Sequence, residues 1–514
     1  MPTYLSPGVY VEETDSGSRP IEGVGTAVAA FVGIAARGPV NTPTLVSNWK
    51  QFVSTFGDFV PDAYLAHSVY GYFLNGGGNC YIVRVGQDAG EEPLRAQLTA
   101  RTDDKGTAPK YDIRALPSAP LGETIEVEIT ENPRPEGEGD AAAAETFKLS
   151  VIRGGQPVEE FDGLTVARGK QNAVTVVNAQ SKLISISEVS GSPAVRPTGG
   201  RVALTGEPPL PERLATSDYV GDSADRTGFG GLETIDEVTM VAVPDAMAAY
   251  QKGWIDADGL KAVQLALIAH CELMGDRVAI IDPPPDLRPQ QVLDWRKNGA
   301  GYDSKYATLY WPWVKVADPA TNSTILVPPS GHIAGIWGRN DDTRGVHKAP
   351  ANEVIRGAIS LGCDITSKEQ ELLNPEGINC IRSFSGRGIR VWGARTLSSD
   401  PSWRYVNVRR LFNYLEESIL GGTQWVVFEP NDDALWAKIR RTIASFLVNE
   451  WRKGALFGLT PDEAFFVKCD RETNPAEGID AGQVVCEIGV APVKPAEFVI
   501  FRLSQFSGGA ALAE

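Results

Sequence analysis

The sequence is poor in the residue groupings from which catalytic and metal sites are built. Its six cysteines, Cys80, Cys271, Cys363, Cys380, Cys469 and Cys486, form no CxxC pair, and each lies in or beside an apolar run. Buried free thiols are expected, not a zinc site or a disulfide framework. The four histidines, His67, His270, His332 and His347, are scattered without HExxH spacing, so no metal-ligand set is expected. No apolar run is long enough to span a bilayer. The opening MPTYLSPGVYVEE has neither the basic segment nor the apolar core of a secretory signal, so synthesis and first folding in the cytoplasm are expected. Positive charge is also short: 48 Lys and Arg stand against 65 Asp and Glu, a formal net charge of −17. That excludes the dominant basic surface of a general nucleic-acid binder and favours solubility of something abundant or crowded.

What is present reads as a multi-domain α/β chain, mixed α+β in character. Its 514 residues suffice for about three or four domains. Residues 1–25 read as an extended arm. The turn signal Ser6-Pro7-Gly8 precedes a short strand pattern, Val9-Tyr10-Val11, with no hairpin partner beside it. Such a strand stays loose or pairs elsewhere, for example by addition to another subunit. Residues 26–86 read as the first part of an α/β core, with strands at Ala27–Ile34 and Cys80–Val85 and helices at Trp49–Phe56 and Tyr64–Leu74. Gly76-Gly77-Gly78 follows a helix and precedes a strand, the reverse of a phosphate loop, and reads as a helix end.

Composition shifts at about residue 87. Residues 87–228 are rich in Gly, Pro, Glu and Asp. Short strand patterns at Ile125–Thr130, Phe147–Ile152, Leu164–Val166, Ala173–Val177 and Leu183–Ile186 are read without an intervening helix, giving an all-β surface insertion domain. The α/β rhythm resumes over 229–365. Strands are expected at Val238–Val243, Val278–Ile281 and Tyr306–Val316. Helices are expected at Pro289–Lys297 and at Leu260–Met274, the latter with Ala262, Leu265, Ala266 and Ala269 inward. Alternating strands and helices predict a parallel, helix-covered sheet.

That architecture hosts many enzymes. Ligands in such sheets sit past the C-terminal strand ends, which here carry Asp245 and Asp282. Two aspartates there could hold a metal and a phosphate, but no GxSxG, no correctly ordered glycine loop and no placed base joins them. The expectation is no enzyme, no catalytic or cofactor residues and no metal. The alternatives are a hydrolase-like α/β enzyme with a β-rich binding insertion and an adhesin or surface-layer protein.

The C-terminal domain, 366–514, opens with a capping box, Thr366 with Glu369, ahead of Leu372 and Leu373. A hairpin is expected from Ile381–Phe384 and Ile389–Trp392. An amphipathic helix is expected at Val406–Leu420, with Arg409, Arg410, Glu416 and Glu417 outward, and then a strand at Trp425–Phe428. The segment Asn431 to Gly454 has a helix N-cap in Asn431, acids in the first turn, basic residues in the last and a terminal glycine. Leu435, Ile439, Ile443, Phe446 and Leu447 form its apolar stripe, with Trp436 and Trp451 at the margins and Glu450 on the same side. Lys438, Arg441, Ser445 and Arg452 form an opposite stripe without an acid. Burying five or six large side chains is worth on the order of 10 kcal/mol gross, against roughly 0–1 kcal/mol per surface charge. The apolar face therefore docks the helix and leaves the basic face free. Thr460 is expected to cap the next helix. Strands at Val484–Val490 and Glu497–Leu503 are expected to close the chain, with Val499, Phe501 and Leu503 on one face.

Residues Ile325 to Asn352, ILVPPSGHIAGIWGRNDDTRGVHKAPAN, resemble a signature of contractile tail sheath proteins. Tyr4 to Glu13, Phe73 to Val85, Asn374 to Gly393, Tyr405 to Leu415, Glu450 to Leu456 and Thr460 to Cys469 are similar to the same family in the same order. The resemblance spans the chain apart from the 87–228 insertion. His347 departs from it, where many relatives carry tryptophan. The resemblance implies a structural subunit that polymerises as stacked hexameric rings around an inner tube and contracts to drive the tube through a target envelope. Its partners would be further copies of itself, an inner tube protein, and baseplate and terminal cap proteins, with no nucleic acid and no direct membrane insertion. It implies a phage tail or a phage-derived injection particle as the setting. It further implies that Val9, Tyr10 and Val11 of the arm and Val499, Phe501 and Leu503 of the tail join a neighbour's sheet, and that Lys438, Arg441, Ser445 and Arg452 face the tube.

Overall fold

The computed structural model describes residues 20–86, 95–101, 107–116, 125–131, 146–153, 155–204, 213–319, 321 and 323–502. Its centre is an eight-stranded sheet. The strands are β1 (Ala29–Gly33), β2 (Thr44–Val46), β3 (Cys80–Arg84), β4 (Met240–Ala242), β5 (Val278–Ile281), β6 (Ala307–Trp311), β7 (Ile378–Phe384) and β8 (Gly388–Val391), in the order β8-β7-β6-β5-β4-β1-β3-β2. The six from β7 to β3 run parallel; β8 and β2 pair antiparallel at the two edges. All five residues of β1 and of β6 are buried, as a sheet covered on both faces requires.

Helix α1 (Ala257–Met274) covers this sheet, but not with the expected face. Its buried side is Leu260, Val263, Gln264, Leu267, Ile268 and Cys271, whereas Ala262, Leu265 and Ala269 are exposed and Ala266 is half-buried. The helix carries two apolar stripes, and the one with the larger side chains wins the core. Helix α2 (Ser330–Arg344) is almost wholly buried. It lies backbone to backbone against the helix Leu65–Leu74: a Cβ on Gly331 would stand 2.3 Å from the Ser68 carbonyl oxygen, and one on Gly335 2.3 Å from that of Tyr72. The glycines of SGHIAGIWG are thus a packing requirement. Gly335→Ala is expected to lower the unfolding free energy by about 1–3 kcal/mol. Denaturant titration measures this, and an unchanged midpoint would show that the two helices can part.

The long strand expected at Tyr306–Val316 is two strands in different sheets. Pro312 offers no backbone N–H, and the ladder breaks there. Val314–Ala317 instead joins Thr324–Val327 and Ala358–Leu361 in a three-stranded sheet. The insertion has its own core, including Leu98, Tyr111, Val127, Leu149, Phe161 and Val177, between a four-stranded and a three-stranded antiparallel sheet. Residues Ala173–Gln180 are a helix, not a strand. Asn172 accepts from the Thr175 backbone N–H, and Ala173 and Val177 bury one face four residues apart; cap and spacing override β propensity. Leu164 ends the strand Gln156–Leu164 rather than starting one. Leu204 belongs to the insertion core, while Leu214, Tyr219 and Phe229 belong to the central one. Segment 213–228 therefore packs with the central sheet, short of the expected boundary at 228.

A third core holds the C-terminal domain. Helix α3 (Val406–Gly422) and helix α4 (Asp433–Arg452) pack through Leu411, Leu415, Leu435, Trp436, Ile439, Ile443, Phe446 and Leu447. Ile21 joins this core. Arg409 and Arg410 of α3 do not point outward as expected; both are buried. The Arg409 guanidinium lies 4.7, 4.5 and 5.7 Å from the ring centres of Tyr306, Trp403 and Phe412 and bonds Asn413 at 2.7 Å. Arg410 pairs with Asp341 of α2 at 2.6 Å. Long cationic side chains bury where aromatic faces and a carboxylate receive them.

Candidate functional site

Helix α4 begins one residue later than the sequence suggests. The cap is Asp432, whose carboxylate accepts the Leu435 N–H at 2.8 Å, and Asn431 instead accepts the Trp436 indole N–H at 2.8 Å. Trp436 is buried rather than marginal. Glu450 is buried on the apolar side, where its carboxylate accepts from the Tyr414 hydroxyl at 3.1 Å and the Lys453 ammonium at 2.7 Å. On the opposite face Arg441, Ser445 and Arg452 are exposed, and among the described residues none has a hydrogen-bond or ion-pair partner. Lys438 is only half-buried, with its ammonium 4.1 Å from the centre of the Trp425 ring. Trp425 lies in a loop, not the expected strand: Gln424–Val426 is one short 3-10 turn, and Phe428 beyond it is fully exposed.

The chain ends supply the second feature. Val9, Tyr10, Val11 and Leu503 lie outside the described residues. The strand expected at Glu497–Leu503 belongs to no sheet over its described part. Phe498, Val499, Ile500 and Phe501 are 73%, 68%, 78% and 85% exposed, an apolar run in solvent. Glu497 holds its root, accepting from Arg395 Nε and Nη2 at 2.9 and 2.6 Å, Asn374 at 2.8 Å and the Tyr405 hydroxyl at 3.2 Å. Burial pushes the Glu497 carboxyl up, and the bonds from Arg395 and Asn374 outweigh it, holding it below the usual carboxylate range. The other terminal strand, observed as β10 (Glu487–Val490), pairs antiparallel with β9 (Phe465–Lys468), not with the tail. This two-stranded sheet has both edges open among the described residues, and Phe466 and Ile488 are exposed on it. Thr460 makes no side-chain cap bond; Glu463 instead accepts the Leu459 N–H at 2.8 Å.

The residues that could have formed a catalytic centre are committed to the fold. Asp245, fully buried, accepts from the backbone N–H groups of Ile34 at 2.6 Å and of Tyr64, at the start of the Leu65–Leu74 helix. Asp282 accepts the N–H of Ser330, the first residue of α2, at 3.0 Å. Each aspartate thus neutralises the positive end of a helix. Burial pushes Asp245 up to about 6 and Asp282 up to about 7, against the backbone bonds that pull them down. Burial likewise pulls His332 down to about 4. All six cysteines are free, four of them buried and Cys363 and Cys486 half-buried. No cluster of three potential metal ligands occurs among the described residues, and no described helix is long and apolar enough to cross a membrane. His347 is half-buried at the junction of α2 and the C-terminal domain, where its carbonyl accepts from Asn407 at 2.7 Å.

Sequence reasoning missed Glu497 and Phe428. The acid heading an apolar terminal run was the available signal for the first; nothing local marks the second.

Known proteins resemble this chain along most of its length. Residues 236–397 match the phage tail sheath protein central domain, and residues 398–506 match the phage tail sheath C-terminal domain. The chain is 26% identical to the tail sheath protein of Burkholderia phage BcepMu, over 96% of this chain and 95% of that one. It is 28% identical to the tail sheath protein of Salmonella phage ViI over 45% of this chain and 37% of that one. Among solved structures, a chain of the six-fold symmetrised anti-feeding prophage baseplate is similar at 25% identity and TM-score 0.58, with 98% of this chain and 100% of that one covered. The contracted helical sheath of the anti-feeding prophage has the same fold at 24% identity and TM-score 0.59, over 98% of this chain and 100% of that one.

Proposed function

The chain belongs to the family of contractile tail sheath proteins, and from that premise we propose how its surfaces divide the work of a sheath subunit. It is a structural subunit of a contractile sheath. In our reading, copies stack as six-membered rings around an inner tube, within a phage tail or a phage-derived injection particle, and meet baseplate and cap proteins at the ends. Residues 1–25 form a linking arm. Residues 26–86 and 229–365 form the core, 87–228 a surface insertion whose last part folds back on that core, and 366–514 the tube-side domain. The arm strand Val9–Val11 and the tail strand around Val499, Phe501 and Leu503 add to the open edges of a neighbour's β9–β10 sheet, where each satisfies backbone groups that the single chain leaves unpaired. No reaction is catalysed: contraction draws on free energy held in the assembled lattice, and Asp245 and Asp282 serve to hold helix ends.

The basic face of α4 meets carboxylates of the inner tube. The observation that carries this is a set of exposed, uncompensated cations, Arg441 and Arg452, on a chain of net charge −17. Exposed ion pairs are worth up to about 1 kcal/mol each and weaken with salt, which suits a surface that grips and then releases. Lys438 already leans on Trp425, so Arg441 carries the larger share. Lys438→Glu with Arg441→Glu is expected to leave subunits able to polymerise but unable to wrap tubes in the extended form at about 150 mM salt. Negative-stain microscopy decides it; extended sheaths on tubes at the normal frequency would refute the assignment.

A further inference from the structure

The loop that leads into α4 carries two costs that the single subunit does not recover. Phe428 is 103% exposed and its backbone sits at φ +69. Among the described residues five other non-glycine positions have positive φ: Asn41, Asp62, Arg226, Asp286 and Asn352. Four of these are Asn or Asp, whose short polar side chains tolerate the left-handed region; a phenylalanine there is a genuine outlier. Three residues earlier, the Trp425 indole nitrogen is buried with no hydrogen-bond acceptor. Val427 between them is 61% exposed. The Glu429 N–H bonds the Val426 carbonyl at 3.1 Å, so the loop is a defined turn that holds the aromatic ring out. Strain and an orphaned donor persist where a structure is organised for something it lacks alone.

The loop's other aromatic residue, Trp425, connects it to the proposed tube-facing stripe. The Lys438 ammonium rests on Trp425, which joins this loop to the basic stripe of Lys438, Arg441 and Arg452. We propose that Phe428 is an apolar anchor that seats in a shallow cavity on the inner tube, within a surface whose carboxylates face the stripe. The proposal rests on the tube-facing reading of α4. The stripe supplies salt-screened attraction and register, and the anchor supplies contact that salt does not weaken. A central aromatic surrounded by weaker polar contacts is the usual distribution of energy in a protein interface.

The test compares Phe428→Asn, Phe428→Leu and the Lys438→Glu/Arg441→Glu pair. Each is co-sedimented with tubes assembled from the inner tube protein of the same particle, at low and at high salt. Asparagine keeps the left-handed backbone and removes the ring, so F428N should fold with an unchanged or raised thermal midpoint. It should bind tubes roughly 30-fold more weakly at both salt concentrations. F428L should retain most of the binding, and the charge reversal should matter at about 150 mM salt and below but not at high salt. Wild-type binding by F428N, with the reversal still effective, would overturn the anchor and leave the stripe standing. No effect of either would overturn both. A lowered midpoint for F428N would place the ring in its own fold. Failure of F428N to self-assemble without tubes would make the occupant a second copy of this chain; either result overturns the proposal.

Discussion

A chain ending at Glu497 should fold with an unchanged denaturation midpoint and fail to form sheath. Phe498 to Phe501 contribute almost nothing to the subunit, since each is at least two-thirds exposed and none pairs with a described strand. In a lattice the same four side chains, seated on a neighbour's sheet, would bury apolar area worth on the order of 6–10 kcal/mol gross before ordering costs. Removing a segment that costs nothing alone but contributes that much per contact shifts assembly by many orders of magnitude. Soluble monomers by sedimentation, with no striated cylinders by microscopy, are the expected result. Sheaths of normal length from the truncated chain would sink the tail's role. Glu497 fixes where that tail departs, so Glu497→Gln should weaken assembly less than truncation does. The sign of its pH dependence follows from its lowered carboxyl: the stabilisation is present above the unfolded value, near pH 4, and is lost as pH falls through the folded one. Acid should therefore loosen the tail root.

The sequence made local features legible and long-range ones opaque. Helix α4 was readable because caps, stripe and terminal glycine all lie within one stretch. The parallel core was readable because buried strands such as Ala29–Gly33 are continuous apolar runs. By contrast, two cationic residues on a helix read as surface, and nothing near Arg409 or Arg410 announces Tyr306, Trp337 or Asp341 as their receivers. The two apolar stripes of α1 differ by size rather than by pattern, so periodicity alone chose the wrong one. The candidate site divides the same way. Exposure of Arg441, Ser445 and Arg452 followed from the wheel of a single helix. The engagement of Lys438 with Trp425 did not, because the intervening loop folds back instead of extending as a strand. The tail's alternation was visible, but its lack of a partner within the chain was not: Glu487–Val490, the strand expected before it, is taken by Phe465–Lys468.

Arg410→Ala should destabilise the fold by about 3–5 kcal/mol. The Arg410 and Asp341 side chains are each only 3% exposed, and their bonds run at 3.0 and 2.6 Å. Arg410 also donates to the Thr26 carbonyl at 2.8 Å and lies 4.6 Å from the centre of the Trp337 ring. One guanidinium thus ties the segment at Thr26, helix α2 of the central core and helix α3 of the C-terminal domain. Truncating it strands the Asp341 carboxylate, which would keep only the Thr26 hydroxyl as a partner among these groups, at 2.7 Å. The loss is therefore mostly the penalty of an uncompensated buried charge, and that makes a further prediction inside the same experiment. Arg410→Ala with Asp341→Ala should be clearly less destabilised than the sum of the two single variants, because the second change removes the stranded charge. Denaturant unfolding of the three variants measures both quantities. A midpoint unchanged by Arg410→Ala would mean that water reaches Asp341 and that this junction is looser than its burial implies. Additive losses would mean that the two side chains act through packing against Trp337 and Thr26 rather than through each other. Either outcome would remove the ion pair as the element that ties helix α3 to helix α2.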